Sequence, residues 1–551
     1  MSLENINPNL IEDEQLRELV KALLNVIEEQ NTEIKELRAE NGQLRDEIKR
    51  LKGEKGRPKF KASRPKDDDF SSESERRERR RQRKGHKHDQ IEIDQEIVLD
   101  VEADSLPADA QFKGYTPHIV QDIEVRTHNT RFLREKYYSP STGKTYTAPM
   151  PRGYEGEFGP TIRAQVLMLH FAGNMTQSRI HDWLTQLGIK ISTGQIARWL
   201  STGHDAFHAE AQAAYQAALS ECPWQNMDET GTRVSGENWY CHVTSSPLGT
   251  HFRTLDSKSR QAALQALQNT SERRYLLNEE ALGLMEKWKI PDKVVWQVAS
   301  HFPREVQSQA FTESWLDDHL KLNTNQRRQL LDALAIAAYH AQNELPVVQL
   351  LIADDAPQFR HLTAELALCW VHEGRHYKKL NPTLPYHRRL QHKFLRLFWR
   401  YYRALKRYQQ QPSPQAAARL THQFDRLFAI RTGYAELDKC IARTQAHKAQ
   451  LLMVLHHPEI PLHNNPAELG ARQRVCKRRV SYGPNSEQGL QAWDTFMSLA
   501  ATTQALDISF FHYLRDRLMN QGCIPPLAEI VRAQAATLNL SNSWLETATT
   551  Y

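Results

Sequence analysis

Residues 463–479, His-Asn-Asn-Pro-Ala-Glu-Leu-Gly-Ala-Arg-Gln-Arg-Val-Cys-Lys-Arg-Arg, predict the start of a helix that carries one carboxylate and then a dense run of bases. Asn464 or Asn465 can cap the free N–H groups at the helix start, and Pro466 suits its first position. Glu468 falls in the opening turn, where the helix dipole favours negative charge. These features alone would describe an ordinary helix with an exposed charged face.

The bases that follow Glu468 make this helix a candidate functional element. Arg472 and Arg479 stand four and eleven residues after Glu468 and therefore lie near the same helical face. An acid beside bases on one face suits a site that holds a metal ion next to a phosphate backbone. Arginine and lysine side chains of this segment are expected to hold DNA, with an exposed charged face as the alternative: Arg472, Lys477, Arg478 and Arg479.

Two upstream carboxylates fit the same site. Asp354 directly follows Val347–Ala353, the strongest apolar run of the chain, which predicts a buried strand that ends at the edge of a sheet. Asp228 lies in a segment just before the strand-like residues 239–244. Their neighbours Asp355 and Glu229 are the rivals, and Asp354 is preferred to Asp355 because it follows the strand directly.

Length and composition exclude several classes of protein. A chain of 551 residues exceeds a single core and predicts several domains. The net charge of +6 is weak evidence, but the basic residues are clustered. No apolar run is long enough for a membrane span, and the N-terminus does not resemble a signal peptide. Six scattered cysteines without a CxxC pair favour a reduced cytoplasmic protein.

Residues 16–51 predict a parallel two-stranded coiled coil. β-branched residues recur at position a and leucines at position d over five heptads, with Asn41 at one a position. This pattern predicts a homodimer or a higher homo-oligomer. The alternative is an amphipathic helix folded back on its own globular domain.

The segment that follows has the composition of a disordered basic linker, residues 54–88. It contains Lys-Gly-Arg-Pro-Lys at 55–59, which resembles the core of an AT-hook, and a dense basic tract at 76–84. The expected DNA contacts here are Arg57, Lys59, Arg79, Arg80 and Arg81. A soluble linker without DNA contacts is the alternative.

Two further modules precede the candidate site. Residues 89–152 alternate polar and β-favouring residues and predict a small antiparallel module with a hairpin around residues 139–143. Residues 176–201 predict a helix-turn-helix, in which Gln195 and Arg198 face outward to read DNA. Short helical hairpins without DNA-binding function are also common.

From residue 221 the pattern becomes α/β. Three strands near 225–234, 238–245 and 250–255 predict an antiparallel meander, and long helical segments at about 258–345 and 384–456 flank the strand before Asp354. Another strand is predicted at 368–372. Without the helical segments, the order is three strands, a helix, two strands and a helix, with acids on the first strand, the fourth strand and the last helix.

The chain is similar to the RNase H-like DDE transposases, and more narrowly to the large transposase of the insertion-sequence-66 family. The resemblance rests on Asp228, Asp354 and Glu468 and on short motifs, which are Asp-Glu-Thr at 228–230, Asp-Asp-Ala-Pro-Gln-Phe at 354–359, Cys-Trp-Val-His at 369–372 and Asn-Asn-Pro-Ala-Glu at 464–468. Cys369 and His372 match a Cys-x-x-His signature of uncertain role. Relatives often carry paired cysteines in the small β module, but residues 89–152 contain none, so no zinc is predicted.

The resemblance implies a multidomain α+β chain that acts on double-stranded DNA. Its parts are a coiled-coil helix (1–53), a linker (54–88), a small β module (89–152), a helix-turn-helix domain (156–220), an RNase H-like catalytic domain with two helical insertions (221–500) and C-terminal helices (501–551). It also implies that Asp228, Asp354 and Glu468 bind two Mg²⁺ or Mn²⁺ ions for strand cleavage and 3′-OH strand transfer.

Partner proteins are possible in this reading, and the expected localisation is bacterial, cytoplasmic and nucleoid-associated. Two alternatives remain. One is an RNase H-like nuclease or resolvase without strand transfer. The other is a dimeric DNA-binding regulator with an inactive catalytic body.

Overall fold

A mixed five-stranded sheet forms the centre of the computed structural model, which describes residues 6–51, 91–102, 107, 110–154 and 156–544. The strands of the described residues are β1 Lys136–Ser139, β2 Lys144–Thr147, β3 Trp224–Val234, β4 Glu237–Ser246, β5 Gly249–Leu255, β6 Arg274–Tyr275, β7 Gln307–Ser308, β8 Leu350–Ala353 and β9 Glu365–Leu368. The order in the main sheet is β5-β4-β3-β8-β9, so β3 is the middle strand.

Helices surround this sheet and connect its strands. Those before β8 are α1 Glu14–Leu51, α2 Pro160–Phe171, α3 Gln177–Gln186, α4 Thr193–Ser201, α5 Asp205–Glu221, α6 Arg260–Gln268, α7 Glu279–Lys287, α8 Asp292–His301, α9 Gln309–His319 and α10 Thr324–Ala341. Those after β8 are α11 Trp370–Lys379, α12 Pro385–Gln410, α13 Pro414–Phe428, α14 Ala435–Ala446, α15 Lys448–Leu451, α16 Asn465–Ser481, α17 Glu487–Ala505, α18 Phe510–Met519 and α19 Leu527–Thr537.

The predicted meander and the predicted buried strand are confirmed. Strands β3, β4 and β5 pair antiparallel, and the turn between β3 and β4 is made by Ser235 and Gly236, both with positive φ, as a two-residue hairpin requires. Strand β8 is buried at all four positions and pairs parallel with β3 and β9. Two parallel strands next to each other place their carboxyl ends at one edge of the sheet.

The strand predicted at 368–372 is wrong. Strand β9 ends at Leu368, Cys369 is the N-cap of α11, and Trp370 already lies in that helix. The apolar character of the segment comes from burial of Trp370 against aromatic residues of α12 and α13, among them Phe398 and Phe424. A short apolar run does not distinguish a strand from a buried helix start.

The small β module is confirmed only in part. Strands β1 and β2 form the predicted hairpin around residues 140–143. Within the described part of residues 91–135 there is no further strand, and the predicted strand residues Ile93 and Ile123 are largely exposed. An alternating pattern forms a strand only where another segment covers its apolar side.

Helices α3 and α4 lie where the sequence predicts two helices and a short connection. Thr176 and Ser192 accept hydrogen bonds from Arg179 N and Gln195 N and so cap them. Ile196, Trp199 and Leu200 are buried as predicted, and Arg198 is exposed. DNA recognition by α4 stays a prediction.

Helix α1 contacts the body of its own chain through its N-terminal half. Leu24 packs with Leu384 and Tyr386, and Glu28 accepts a hydrogen bond from Leu384 N at 2.9 Å. The alternative of a helix folded back on its own domain therefore applies to this half. Large apolar side chains at heptad positions a and d are about half exposed: Leu16, Leu23, Ile34, Leu37, Leu44 and Ile48.

The two predicted helical insertions correspond to helices α6–α10, with the short strands β6 and β7, between β5 and β8, and to helices α12–α15 before α16. The first packs through the buried face of α10 into a core that it shares with Met227 of β3 and Leu351 of β8. The second is held by the aromatic cluster around Trp370. In the described part of the chain, no helix combines the length and the apolar character that a membrane crossing requires.

Candidate active site

Asp228 and Asp354 stand at equivalent positions of two neighbouring parallel strands. Asn226 on β3 pairs with Ile352 on β8, and each aspartate comes two residues later. Paired strands lie about 4.8 Å apart and side chains two residues on share one face, so the two carboxylates are neighbours at the sheet edge. Both residues are partly buried. The sequence prediction for this pair is consistent with the register of the sheet.

Helix α16 brings Glu468 to the same edge by packing on β3 and β4. Gly470 makes the close approach possible, because a Cβ there would meet Val243 Cγ1 at 2.6 Å and Thr250 Cγ2 at 3.2 Å. Glu468 precedes this contact by half a turn. The place of Glu468 relative to the sheet therefore depends on Gly470, because a residue with a Cβ would not allow the helix to come this close.

Two asparagines join the start of α16 to β3. Asn226 Nδ2 donates to Asn464 Oδ1 at 3.0 Å, and Asn464 Nδ2 donates to the carbonyl oxygen of Met227 at 2.6 Å. Asn464 is the N-cap residue, as predicted, but its side chain makes no capping hydrogen bond. Its amide instead holds α16 next to the strand of Asp228.

The carboxylates of the site interact electrostatically. Burial, with a smaller contribution from the charges of Glu468 and Asp354, raises the pKa of Asp228 to about 7, while the N–H of Glu229 acts in the opposite direction. Like charges near one buried carboxylate favour its protonated form unless a cation is present. The electrostatic effect shows that the three predicted acids lie close enough to influence one another.

The donor atoms of the three acids fit a divalent cation. All are carboxylate oxygens, the ligand type that Mg²⁺ and Mn²⁺ prefer. Glu468 Oε1 is buried and has no hydrogen-bond partner among the described residues, so it is available as a ligand. The residues present therefore suit the ions that the family resemblance implies.

Glu229 and Asp355, the neighbouring acids in the same motifs, form hydrogen bonds with side chains outside the three candidate acids. Glu229 accepts a hydrogen bond from Gln358 at 2.9 Å, and Asp355 accepts one from Arg360 at 2.6 Å. Burial raises the pKa of Glu229. The choice of Asp228 and Asp354 over Glu229 and Asp355 stays a prediction.

Cys369 and His372 lie beside Glu468. Cys369 Sγ, a ring nitrogen of His372 and a carboxylate oxygen of Glu468 all lie within 4.8 Å of one another, a spacing that could hold a metal ion. Cys369 Sγ accepts the N–H of Asn464 at 3.2 Å, and burial raises the pKa of this thiol to about 12. The protonated thiol thus ties the end of β9 to the start of α16.

Arg375 belongs to the site and escaped the sequence analysis. Its Nη2 donates to Glu468 Oε2 at 2.9 Å, and its Nη1 donates to His372 Nε2 at 2.8 Å. The i, i+3 spacing of His372 and Arg375 on a helix was the available signal. The incorrect assignment of residues 368–372 to a strand concealed it.

The bases predicted on α16 divide into exposed and engaged residues. Arg472 and Arg479 are exposed, so DNA binding by them stays a prediction. Arg478 donates to the carbonyl oxygen of Gly231 on β3. Its guanidinium therefore serves first to attach α16 to the sheet.

The structure corrects the prediction that Lys477 binds DNA. Its side chain is fully buried, donates to the carbonyl oxygen of His170, and lies over the rings of Phe171 and Trp493 at 5.6 and 5.2 Å. A buried ammonium cannot reach a DNA phosphate. The burial of Lys477 could not be predicted from the neighbouring sequence, because Trp493 and Phe171 belong to helices distant in the chain.

The remaining predicted DNA contacts lie elsewhere. Arg198 is exposed on α4 and donates to Gln195 Oε1 at 2.9 Å, so both side chains are held on the outer face of that helix. The linker residues Arg57, Lys59, Arg79, Arg80 and Arg81 lie outside the described residues.

Comparisons with known proteins agree with this arrangement. Residues 155–277 and 339–492 match the model of the family described as "Transposase IS66 family", so both matched stretches carry candidate acids. The residues between them cover most of the first insertion. The chain is also 36% identical over 321 residues to the uncharacterized protein y4jO of Sinorhizobium fredii. The aligned stretch covers 58% of this chain and 99% of that relative. This chain therefore belongs to the IS66 family of transposases.

Proposed function

We propose that this protein is a metal-dependent DNA transposase in which Asp228, Asp354 and Glu468 bind two Mg²⁺ or Mn²⁺ ions. The observation that carries the proposal is the convergence of these acids at one sheet edge, where burial, together with the charges of Glu468 and Asp354, raises the pKa of Asp228 to about 7. The strand order β5-β4-β3-β8-β9 supports an RNase H-like catalytic domain. The reaction is cleavage at the ends of a mobile element followed by transfer of the free 3′-OH to target DNA.

The divalent ions, when bound, would activate the attacking oxygen and stabilise the leaving 3′ oxygen. The protein contributes position. Strands β3 and β8 hold Asp228 and Asp354 rigidly, and Arg375 orients the carboxylate of Glu468. The nucleophile is water during cleavage and the 3′-OH during transfer, so no covalent enzyme intermediate forms.

Assembly of two protomers is the second part of the proposal. The exposed a and d side chains of α1 would pair with those of a second copy in a parallel coiled coil. The exposed bases Arg198, Arg472 and Arg479 would bind DNA, together with the basic linker. Two protomers can in this way hold two ends of an element.

The test uses purified protein and a plasmid that carries the ends of the element. We expect Asp228→Asn, Asp354→Asn and Glu468→Gln each to reduce strand cleavage at least about a hundredfold, with DNA binding retained. Stabilisation of the protein by Mn²⁺, measured as a shift in Tm, should decrease in the same variants. Cleavage by any of these variants at the wild-type rate would remove that residue from the site.

Glu229→Gln and Asp355→Asn are matched controls, because they remove a carboxylate from the same motifs. We expect both to keep most of the cleavage activity and the Mn²⁺-dependent shift. Joining of the cleaved 3′ end to a second duplex distinguishes a transposase from a nuclease. Cleavage without joining would favour the nuclease, and DNA binding without cleavage would favour the regulator.

A further inference from the structure

Helix α12 carries an unusual distribution of charge. Its 26 residues contain no Asp or Glu. Six bases recur at spacings of four and three residues, which places them on one face of the helix. We call these residues the α12 stripe: Arg389, Lys393, Arg396, Arg400, Arg403 and Arg407.

The opposite face of α12 fixes the helix in the protein. Phe394, Phe398 and Leu405 are buried in the main core. Tyr401 and Tyr408 donate hydrogen bonds to the carbonyl oxygens of Leu420 and Leu455, both at 2.9 Å. The backbone of the stripe is therefore held in place before any ligand binds.

The stripe faces solvent. All six bases are exposed, and among the described residues Arg389, Lys393, Arg396, Arg400 and Arg407 form no ion pair. Like charges at i, i+4 destabilise a helix, so the pairs Arg389–Lys393 and Arg396–Arg400 are electrostatically unfavourable. A polyanion that binds along the row would remove the repulsion.

The length of the stripe suits a nucleic acid. Arg389 and Arg407 stand 18 residues apart and are therefore separated by about 27 Å at a rise of 1.5 Å per residue. Phosphates along one strand of B-DNA are spaced about 3.4 Å along the axis, so the stripe corresponds to about eight nucleotides. Arginine, which makes up five of the six positions, binds phosphate with two parallel hydrogen bonds.

The stripe is also directly connected to the candidate active site. Helix α11 carries His372 and Arg375, which contact Glu468, and only residues 380–384 separate it from α12. DNA held along α12 would thus be bound by the helix that directly follows α11 in the chain.

We propose that the α12 stripe is a binding site for the phosphate backbone of double-stranded DNA, used to hold the DNA substrate of the proposed transposase. The site is independent of base sequence, because its charges bind the phosphates that every duplex presents. It rests on the proposed function for the choice of DNA over other polyanions.

The experiment measures DNA binding without catalysis. Wild-type protein and the triple variant Lys393→Gln, Arg396→Gln, Arg400→Gln are titrated onto a fluorescent 30-base-pair duplex of arbitrary sequence, in EDTA and at several KCl concentrations. We expect the variant to bind about tenfold more weakly and the slope of log K against log[KCl] to decrease by about 2.7, the value for three lost phosphate contacts.

The matched control is Lys287→Gln, Lys293→Gln, Lys321→Gln, which removes three exposed lysines of the first insertion. We expect the control to bind DNA as the wild type does. Equal affinity and equal slope for the stripe variant, with an unchanged Tm, would overturn the proposal. A variant that binds DNA normally but loses binding to anionic phospholipid vesicles would also overturn it, in favour of a membrane surface.

The outcome is separable from that of the proposed function. Binding in EDTA does not require the three acids, so a failed cleavage prediction for Asp228→Asn leaves the stripe untouched. Conversely, a failed stripe prediction leaves the active-site proposal in place. Reduced binding in the control as strongly as in the stripe variant would count against a specific site.

Discussion

Arg375 donates a hydrogen bond to the carboxylate of Glu468, and this contact gives a prediction at the scale of a residue. The guanidinium compensates one negative charge of the site, and a divalent ion at Glu468 would compete with it. We expect Arg375→Gln to lower the free energy of unfolding by about 1 kcal/mol in EDTA, since Arg375 is partly exposed and the contact is screened. The Tm shift produced by Mn²⁺ should be larger in the variant.

Arg375→Lys is the control for this prediction, because it keeps the positive charge but loses the contact with both Glu468 and His372. We expect its stability in EDTA to lie between those of the wild type and Arg375→Gln. Identical Mn²⁺-dependent shifts in all three proteins would show that Arg375 does not affect the ligand set.

Lys477 gives a prediction about pH. Burial, together with the charge of Arg474, lowers its pKa to about 7. In the unfolded chain, Lys477 keeps its proton up to about pH 10.4, so between about pH 7 and that value the unfolded state binds more protons than the folded state. The contribution of Lys477 to the free energy of unfolding should therefore increase as the pH rises through this range.

The measurement compares the wild type with Lys477→Met, which keeps the length of the side chain. We expect the difference in free energy of unfolding, wild type minus variant, to rise by about 2 kcal/mol between about pH 7 and about pH 9. Buried thiols and tyrosines affect both proteins equally and cancel in the difference. A difference that stays constant with pH would contradict the assignment.

Residues differ in how far the sequence predicts their environment. Asp228 and Asp354 were predictable, because each follows or lies on a strand whose apolar pattern is local. The burial of Lys477 was not, since it depends on Phe171 and Trp493, which come from helices α2 and α17. Contacts of this kind depend on tertiary packing, about which a basic run in the sequence contains no information.

At the scale of an element, the contact between α16 and the sheet decides where Glu468 lies. Gly470→Ala would place a Cβ at 2.6 Å from Val243 Cγ1, so the helix must move away from β4. We expect a loss of about 1–3 kcal/mol of stability from overpacking and a loss of cleavage of about a hundredfold from displacement of Glu468. Chemical unfolding and the plasmid cleavage assay measure the two effects.

A second substitution tests the cause. Val243→Ala removes the methyl group that the new Cβ would meet, so the double variant Gly470→Ala, Val243→Ala should regain most of the cleavage activity. If the double variant is no more active than Gly470→Ala, the defect has another origin than the packing of α16 on β4.

Elements were predictable where their pattern repeats and less so where it is short. The hairpin β1–β2, helices α3 and α4 and the meander β3–β5 follow long or well-punctuated patterns. The five residues 368–372 were assigned to a strand, although Cys369 caps a helix there. Because the N-cap at Cys369 was missed, the helical spacing of His372 and Arg375 was not recognised. The error in one element therefore left Arg375 out of the predicted site.

At the scale of the whole molecule, the sheet order follows from pairing that no local pattern specifies. The parallel pairing of β3 with β8 crosses the entire first insertion, and the pairing of β8 with β9 completes the edge where the acids meet. The order of acids along the chain and the resemblance to a family allowed this edge to be predicted. Neither the order of the acids nor the resemblance predicts the contact of α1 with α12.

The last prediction concerns the assembly of two protomers through α1. Asn31 of α1 donates to Thr383 of the body, whereas Ile34 and Leu37, which follow it in α1, are about half exposed at positions a and d. We expect Ile34→Asp combined with Leu37→Asp to convert a dimer into a folded monomer, because two charges in the seam prevent helix pairing. Sedimentation equilibrium measures the mass, and the pairing of two element ends should be lost with the dimer.

Lys35→Asp combined with Ala39→Asp is the control, because it adds acidic side chains to the same turns of α1 but outside the seam. The control should keep the mass of the wild type. The N-terminal half of α1 is fixed to the second insertion by Glu28 and Asn25, which bind Leu384 N and the carbonyl oxygen of Gly433. Dimerisation through the other half would therefore set the distance between the two α12 stripes, whereas an unchanged mass in the seam variant would mean that protomers associate through another surface.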